Sequence, residues 1–143
     1  MEAQTLGTIQ DVMSDKVLYI NTDHTFTQIS RMFVELKIHH LPVIGEDSEL
    51  LGMVSANDIL KAYTNLLPGL PDTEEETINK RISIYDLMTP APLMTLPADA
   101  TIPEAARVMA KNRIHALPIL DEQDQVMGIV SGHDIVRYCA QEL

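Results

Sequence analysis

The sequence predicts an α+β protein of the α/β type, made of two pseudo-symmetric units that share the element order βαββα. Two observations carry this prediction. Residues 23–60 align with residues 99–136 at an offset of 76, and 13 of the 38 aligned positions are identical, where chance gives about two or three. Within each copy, short apolar runs alternate with segments whose apolar residues recur every three or four positions. Because neither copy is large enough to bury a comfortable core alone, we expect the two to pack on each other.

The repeat also predicts the domain organisation. The first copy covers residues 8–65, a linker covers 66–82, and the second copy covers 83–140. Two prolines and a glycine interrupt the linker, and an acidic run at 72–76 follows them. We therefore predict a solvated connection between the copies.

Each copy opens with a short helical lead-in. Thr8 is followed three residues later by Asp11, and Ser83 by Asp86, which is the spacing of a helix capping box. A methionine comes two residues after each aspartate. We predict that this methionine marks a hinge or contacts the next strand.

The remaining elements follow in the same order in both copies. Apolar residues at helical spacing predict the first helix, and two apolar runs around a polar turn predict a β-hairpin. A serine with an aspartate three residues later predicts the start of the last helix. The predicted elements are a strand at 17–20, a helix at 26–36, strands at 40–44 and 50–55 and a helix from 56, then a strand at 93–96, a helix at 102–109, strands at 116–120 and 126–131 and a helix to 139.

Charge and composition exclude several classes of partner. The chain has 10 Lys and Arg residues against 21 Asp and Glu residues, a net charge of −11, so we expect no nucleic-acid partner. No apolar run approaches the roughly 20 residues of a membrane span, and we expect no membrane partner. The first residues carry no secretory signal pattern, and the lone cysteine, Cys139, fits a reducing compartment. A cytoplasmic location is predicted.

The sharpest motif is Ser-x-x-Asp after the last strand of each copy. It places Ser55 with Asp58, and Ser131 with Asp134. One interpretation is structural, because such a pair caps a helix N-terminus. The other is functional, because the helix amides and the hydroxyl form an anion site while the carboxylate accepts both hydroxyls of a ribose. The two interpretations are compatible.

A second repeated motif lies just upstream. If the segment is extended, Lys37 and His39 share one face, as do Arg113 and His115, and such a pair can hold a phosphate. The alternative is that the cations are solvated and each histidine binds a neighbouring carbonyl. No cysteine cluster or His-Glu-x-x-His spacing accompanies the histidines, so we expect no metal site.

Catalytic motifs are absent from the sequence. It contains no Gly-x-Ser-x-Gly and no Walker-type loop. Cys139 lies among apolar residues of the last helix and is predicted to pack rather than to react. We therefore expect no catalytic residues and no enzyme activity.

Together these motifs resemble the cystathionine-β-synthase (CBS) domain, present as a tandem pair. The doubled pattern is Asp-hydrophobic-Met, His-x-Leu-Pro-hydrophobic and Gly-hydrophobic-Val-Ser-x-x-Asp-Ile, and it spans nearly the whole chain. The resemblance implies a stand-alone pair whose units pack sheet to sheet, leave two clefts and form a homodimer. It implies that an adenosine ligand (AMP, ADP, ATP or S-adenosylmethionine) binds, that no cofactor is required, and that an unknown partner protein is regulated.

The resemblance also assigns roles by position. The aspartates would hold ribose hydroxyls, the serines phosphate or ribose, the histidines phosphate, and the apolar residues adenine. His40 stands where relatives often carry Arg, and Ala116 has no charge, which argues against strong triphosphate binding at the second cleft. The implied ligand-binding residues are Val17, Leu18, Ile38, His39, His40, Ser55, Asn57 and Asp58 in the first copy, and Leu93, Met94, Ile114, His115, Ser131, His133 and Asp134 in the second.

Three functions are consistent with the sequence. The first is a regulatory module that binds adenine nucleotides. The second is a module for S-adenosylmethionine or another adenosyl compound without phosphate, which the negative charge and Ala116 favour. The third is a dimerisation or adaptor module with empty clefts, in which the Ser-x-x-Asp pairs serve only as helix caps.

Overall fold

The structure is a computed structural model that describes residues 7–14 and 16–143. The chain divides into two compact units. We call Leu18–Leu93 the middle unit, and the described residues up to Val17 together with Met94–Leu143 the terminal unit. Each lead-in segment is thus grouped with the hairpin of the other copy. The first residues, on which the prediction about a secretory signal depends, lie outside the described part.

The middle unit contains four helices and a three-stranded antiparallel sheet in the order β1-β2-β3. Its core is apolar, and Ile29, Leu41 and Val54 are fully buried in it. No polar or charged residue described by the structure is buried. The elements are α1 (Phe26–Leu36), β1 (His40–Ile44), β2 (Leu50–Ser55), α2 (Ala56–Asn65), α3 (Glu75–Arg81), α4 (Ile84–Leu87) and β3 (Thr89–Pro90).

The terminal unit has a related plan that differs in its helices and in one strand direction. Its sheet has the order β4-β5-β6, in which β4 runs parallel to β5 and β5 is antiparallel to β6. Ile9, Leu117 and Val130 are fully buried in its own core. The elements are a 3₁₀ helix (Ile9–Asp11), β4 (Leu96–Pro97), α5 (Ile102–Asn112), β5 (Ala116–Leu120), β6 (Val126–Ser131) and α6 (Gly132–Glu142).

The hairpins form where the sequence predicts them. Each strand pair has the same register, so that His40 lies opposite Ser55 and Ala116 opposite Ser131. The turns contain Ser48 and Asp124 with φ of 64° and 60°. Aspartate is among the residues that adopt this left-handed conformation most readily. The α+β class predicted from the sequence is confirmed.

The ends of α1 and α5 correct one premise of the sequence analysis. Lys37 and Arg113 end these helices in the left-handed conformation, with φ of 53° and 54°. The segment that leads to each histidine is therefore not extended, and the strands begin only at His40 and Ala116. The expectation that each cation and histidine share the face of one strand is wrong, because a left-handed residue breaks the alternation of sides.

Two predicted strands are shorter in the structure, and the linker contains a helix. The strand at 17–20 is reduced to a single parallel bridge between Ile20 and Val43, and the strand at 93–96 forms only at Leu96–Pro97. The predicted solvated linker contains α3, whose acidic first turn and basic last turn suit the helix dipole. Ile78 on α3 packs against the core of the middle unit.

The repeated glycines explain the repeated methionines. A Cβ on Gly52 would lie 2.6 Å from the carbonyl oxygen of Thr89 and 2.8 Å from the sulfur of Met88. A Cβ on Gly128 would lie 2.7 Å from the sulfur of Met13. Only glycine allows the lead-in to approach the strand this closely. The Asp-hydrophobic-Met motif of each copy thus packs on the Gly-hydrophobic-Val strand of the other copy.

Candidate functional site

The Ser-x-x-Asp motif of the first copy forms the predicted capping box. The hydroxyl of Ser55 accepts a hydrogen bond from the Asp58 amide at 3.2 Å, and Oδ2 of Asp58 accepts one from the Ser55 amide at 2.7 Å. The structural interpretation of the motif is therefore correct. It leaves Oδ1 of Asp58 without a hydrogen bond from any residue that the structure describes, so this oxygen can accept bonds from a ligand.

The second copy repeats the box with one addition. The Ser131 hydroxyl accepts from the Asp134 amide at 3.1 Å, and Oδ2 of Asp134 accepts from the Ser131 amide at 2.8 Å. Here Oδ1 lies 3.5 Å from the guanidinium of Arg137. The side chain of Asp134 is 20% exposed and that of Arg137 is 52% exposed. The carboxylate of the second copy therefore has a cation beside it.

The strand register places a histidine segment beside each helix start. The amide of Ala56 donates to the carbonyl oxygen of His39 at 2.9 Å, and that of Gly132 donates to His115 at 2.9 Å. His39 is exposed and His40 is half-buried. The histidine segment and the capping box are thus held together by backbone hydrogen bonds.

Few backbone N–H groups at the starts of α2 and α6 are free to bind a ligand. Of the first three amides of α2, the one at Ala56 is bonded to His39 and the one at Asp58 to Ser55. The Asn57 amide has no partner among the described residues, and neither has the His133 amide at the same position of α6. An anion would therefore meet one free backbone amide among the first three at each helix start, because the other two are already bonded.

The structure groups most, but not all, of the residues implied by the resemblance. Val17 belongs to the terminal unit and Leu93 to the middle unit, so neither is grouped with the rest of its set. Leu18 and Ile38 pack at the edge of the middle core, and Ile114 does so in the terminal unit. The sets that share a unit are Leu18, Ile38, His39, His40, Ser55, Asn57 and Asp58 in the middle unit, and Met94, Ile114, His115, Ser131, His133 and Asp134 in the terminal unit.

No sequence motif points to the residues that follow Asp134 on α6. Together with residues of the lead-in, Arg137, Tyr138 and Glu142 line a groove of about 450 Å³. Their spacing of three, four and eight residues after Asp134 places them on one face of the helix. The sequence shows this spacing, but it does not show that the lead-in packs beside α6 and forms the other side of the groove.

Two negative findings concern metal binding and membranes. Among the described residues, no group of three or more His, Cys, Asp and Glu side chains is arranged to hold a metal ion. Nor is any described helix both long enough and apolar enough to cross a membrane.

The position of Cys139 corrects another expectation. Its side chain is exposed rather than packed, although it lies one turn after the buried Ile135 on the same face of α6.

Two matching segments decide the family. The model of the CBS domain matches residues 9–65 and 84–141. The chain belongs to the CBS domain family. The resemblance noted from the sequence motifs is thus confirmed, including its tandem arrangement.

Relatives of this CBS pair occur alone and inside longer proteins. An uncharacterized protein of Methanocaldococcus jannaschii is 29% identical over 151 residues, which cover 90% of this chain and 89% of the relative. The homoserine O-acetyltransferase of Methanosphaerula palustris is 31% identical over 133 residues, which cover 90% of this chain and 23% of the enzyme. The chain spans less than a quarter of that enzyme.

Solved CBS pairs share the fold. The CBS domain pair of protein MJ0100, in complex with 5′-methylthioadenosine and S-adenosyl-L-methionine, superposes with a TM-score of 0.82 at 22% identity, over 97% of this chain and 100% of that one. CBSX2 in complex with AMP superposes with a TM-score of 0.76 at 27% identity, over 94% of this chain and 96% of that one.

Proposed function

We propose that this CBS pair is a regulatory module, without catalytic activity of its own, that binds an adenine nucleotide (AMP, ADP or ATP) and signals its occupancy to a partner protein. The observation that carries the proposal is the free Oδ1 of Asp58, held beside a half-buried capping box. The capping box orients the carboxylate, so that no ordering cost remains when it accepts the two ribose hydroxyls. The complex of CBSX2 with AMP supports this choice of ligand.

The remaining contacts follow from the geometry of the middle unit. In this proposal the adenine packs on Leu18 and Ile38, which lie at the edge of the core. The Asn57 amide donates to the phosphate from the positive end of α2. The exposed His39 imidazole supplies a further donor. The ligand regulates the partner only if it binds two arrangements of the pair with different affinity.

The test uses substitutions that keep the helix caps. In Asp58→Asn and Asp134→Asn the side-chain oxygen can still accept from the serine amide, whereas the new NH₂ group cannot accept a ribose hydroxyl. We expect the double variant to bind AMP about tenfold or more weakly, since a hydrogen bond to a charged group contributes about 1.5–3 kcal/mol. Isothermal titration calorimetry measures the affinity, and circular dichroism checks the fold.

A matched control is present in the same chain. In the lead-in of the second copy, Oδ2 of Asp86 likewise accepts from the amide of the serine three residues earlier, Ser83, at 2.9 Å. Asp86→Asn should leave AMP binding unchanged. An unchanged affinity in the double Asp58→Asn, Asp134→Asn variant would contradict the assignment of these carboxylates to ribose.

A second ligand class is favoured by the charge of the chain. A net charge of −11 attracts the sulfonium and ammonium groups of S-adenosylmethionine and repels polyphosphates. Ala116 also leaves the second copy without a cation next to His115. A thermal-shift panel of AMP, ADP, ATP, S-adenosylmethionine and adenosine discriminates between the classes, because a ligand that binds only the folded state raises the Tm. No shift with any of them would favour the adaptor function.

A further inference from the structure

The first lead-in, residues 7–14, is attached to the strand that ends at the second capping box. The amide of Ser14 donates to the carbonyl oxygen of Ile129 in β6 at 3.3 Å. The sulfur of Met13 lies so close to Gly128 that a Cβ there would be 2.7 Å away. Since β6 ends at the serine of this box, both contacts lie within three residues of that serine.

The same lead-in is attached to the helix that begins at this box. The amide of Gly7 donates to the hydroxyl of Tyr138 at 3.4 Å, about one turn after Asp134. Ile9 is fully buried and shares the core of the terminal unit with Ile135, near the start of α6. The lead-in thus holds β6 and α6 together, and the capping box that orients Asp134 lies at the joint between them.

The second lead-in, residues 83–90, has the same relation to the first capping box. Its strand β3 pairs with β2, and Met88 lies against Gly52 of β2. Its helix α4 contributes Ile84 to the buried core of the middle unit, to which α2 contributes Ala62. Each lead-in is therefore attached on both sides of the capping box that belongs to the other copy.

We propose that each lead-in is a positioning element for the ribose-binding carboxylate of the other copy, so that ligand occupancy of one copy is transmitted to the segment that leads into the other. This inference rests on the proposed adenosine-binding function and adds to it a route of communication between the copies. The effect is reciprocal by linkage, since a lead-in that improves ligand binding is itself held more tightly when the ligand is bound.

The test uses a matched pair of variants, Met13→Ala and Met88→Ala, each of which removes the side chain that lies against a repeated glycine. Calorimetry with AMP on the full chain measures both in two backgrounds. Asp58→Asn leaves the second copy as the stronger site, and Asp134→Asn leaves the first. In the Asp58→Asn background we expect Met13→Ala to weaken AMP by about two- to thirtyfold, the usual size of coupling through packed residues, and Met88→Ala to have no effect. In the Asp134→Asn background the two variants should exchange their effects.

Two further measurements separate positioning from loss of stability. Met13→Leu, which nearly conserves the side-chain volume, should restore the affinity that Met13→Ala loses, and circular dichroism checks that every variant is folded. Hydrogen exchange tests the reciprocal effect. With AMP at about 100 times its Kd, exchange of residues 7–14 should slow by up to about a hundredfold in the Asp58→Asn variant, and by more than exchange of residues 83–90. In the Asp134→Asn variant the order should reverse.

The outcomes distinguish this inference from the proposed function. Equal effects of Met13→Ala in both backgrounds, an effect only on the copy that carries the substituted lead-in, or an unchanged affinity would overturn the inference while the adenosine sites stand. Failure of the wild-type chain to bind AMP would overturn the proposed function and the inference with it.

Discussion

At the residue scale, the aspartate of each Ser-x-x-Asp motif has two tasks that do not compete. One carboxylate oxygen closes the capping box, and the other remains for a ligand in Asp58 or faces a cation in Asp134. The helix cap therefore also positions the binding group. A carboxylate fixed in this way has lost its rotamer freedom already in the free protein.

A glycine contact gives the prediction at this scale. Gly52→Ala should lower the free energy of unfolding by about 1–3 kcal/mol, the usual cost of overpacking, because the new Cβ would collide with the Thr89 carbonyl oxygen. Gly132→Ala is the control, since its nearest neighbour is the His115 carbonyl oxygen at 3.9 Å and the first copy has Ala56 at this position. Urea denaturation measures both. A neutral Gly52→Ala variant would show that the lead-in does not press on the strand.

At the element scale, α3 is attached to α1 of the middle unit by polar contacts. Oδ1 of Asn79 accepts from the Thr27 amide at 3.1 Å, and the Thr27 hydroxyl donates to Glu75 at 2.7 Å. Asn79 thus satisfies an amide in the first turn of α1 that the helix cannot satisfy itself. The residue of the second copy that is equivalent to Thr27 is Pro103, which has no amide hydrogen to satisfy. The contact between Asn79 and the start of the first helix therefore occurs only in the first copy, because Thr27 has an amide hydrogen and Pro103 has none.

The difference between the copies can be tested by a double-mutant cycle. Asn79→Ala should lower the free energy of unfolding by about 1 kcal/mol, the usual value for a lost helix cap. In a Thr27→Pro background the same change should cost nearly nothing, because both partners of the contact are then absent. Lys80→Ala on the exposed face of α3 should stay within about 0.5 kcal/mol of the wild type. Equal costs of Asn79→Ala in both backgrounds would refute the role of the contact.

At the scale of the whole molecule, apolar residues are exposed on both helices that start at a Ser-x-x-Asp motif. Leu60 and Tyr63 of α2 are 62% and 66% exposed, and Val136 of α6, the residue equivalent to Leu60, is 64% exposed. Leu60 and Tyr63 lie one turn apart on α2, and Val136 occupies the position of Leu60 in the second copy. We expect these residues to lie in the interface of the homodimer that the resemblance implies, because association would remove them from water.

Light scattering tests the dimer. We expect a mass of twice 15.9 kDa at micromolar concentration, and half of it after Leu60→Glu combined with Val136→Glu, because buried unpaired charges oppose association. Val34→Glu, which changes an even more exposed residue on α1, should leave the mass unchanged. A wild-type mass of 15.9 kDa across the micromolar range would rule out the homodimer.

The sequence alone determined the repeat, the capping boxes, the hairpins and the family, because these depend on residues a few positions apart. Ser55 and Asp58 form a cap by virtue of their spacing, and the residues between 40 and 55 form a hairpin by their alternation. The Ser-x-x-Asp pairs were therefore identified with their correct local geometry. The predicted strand at 17–20 is longer than the single bridge observed, because a short apolar run shows its hydrophobicity but not which strand it pairs with.

The tertiary structure alone decided which lead-in packs on which sheet, where the linker forms a helix, and that α6 borders a groove. Each of these depends on contacts between segments far apart in the chain. The amide of Gly7 donates to the hydroxyl of Tyr138, 131 residues away, and Thr27 meets Asn79 across 52 residues. Local propensity and periodicity carry no information about such pairs, because they act within a few residues, whereas packing selects partners across the whole chain.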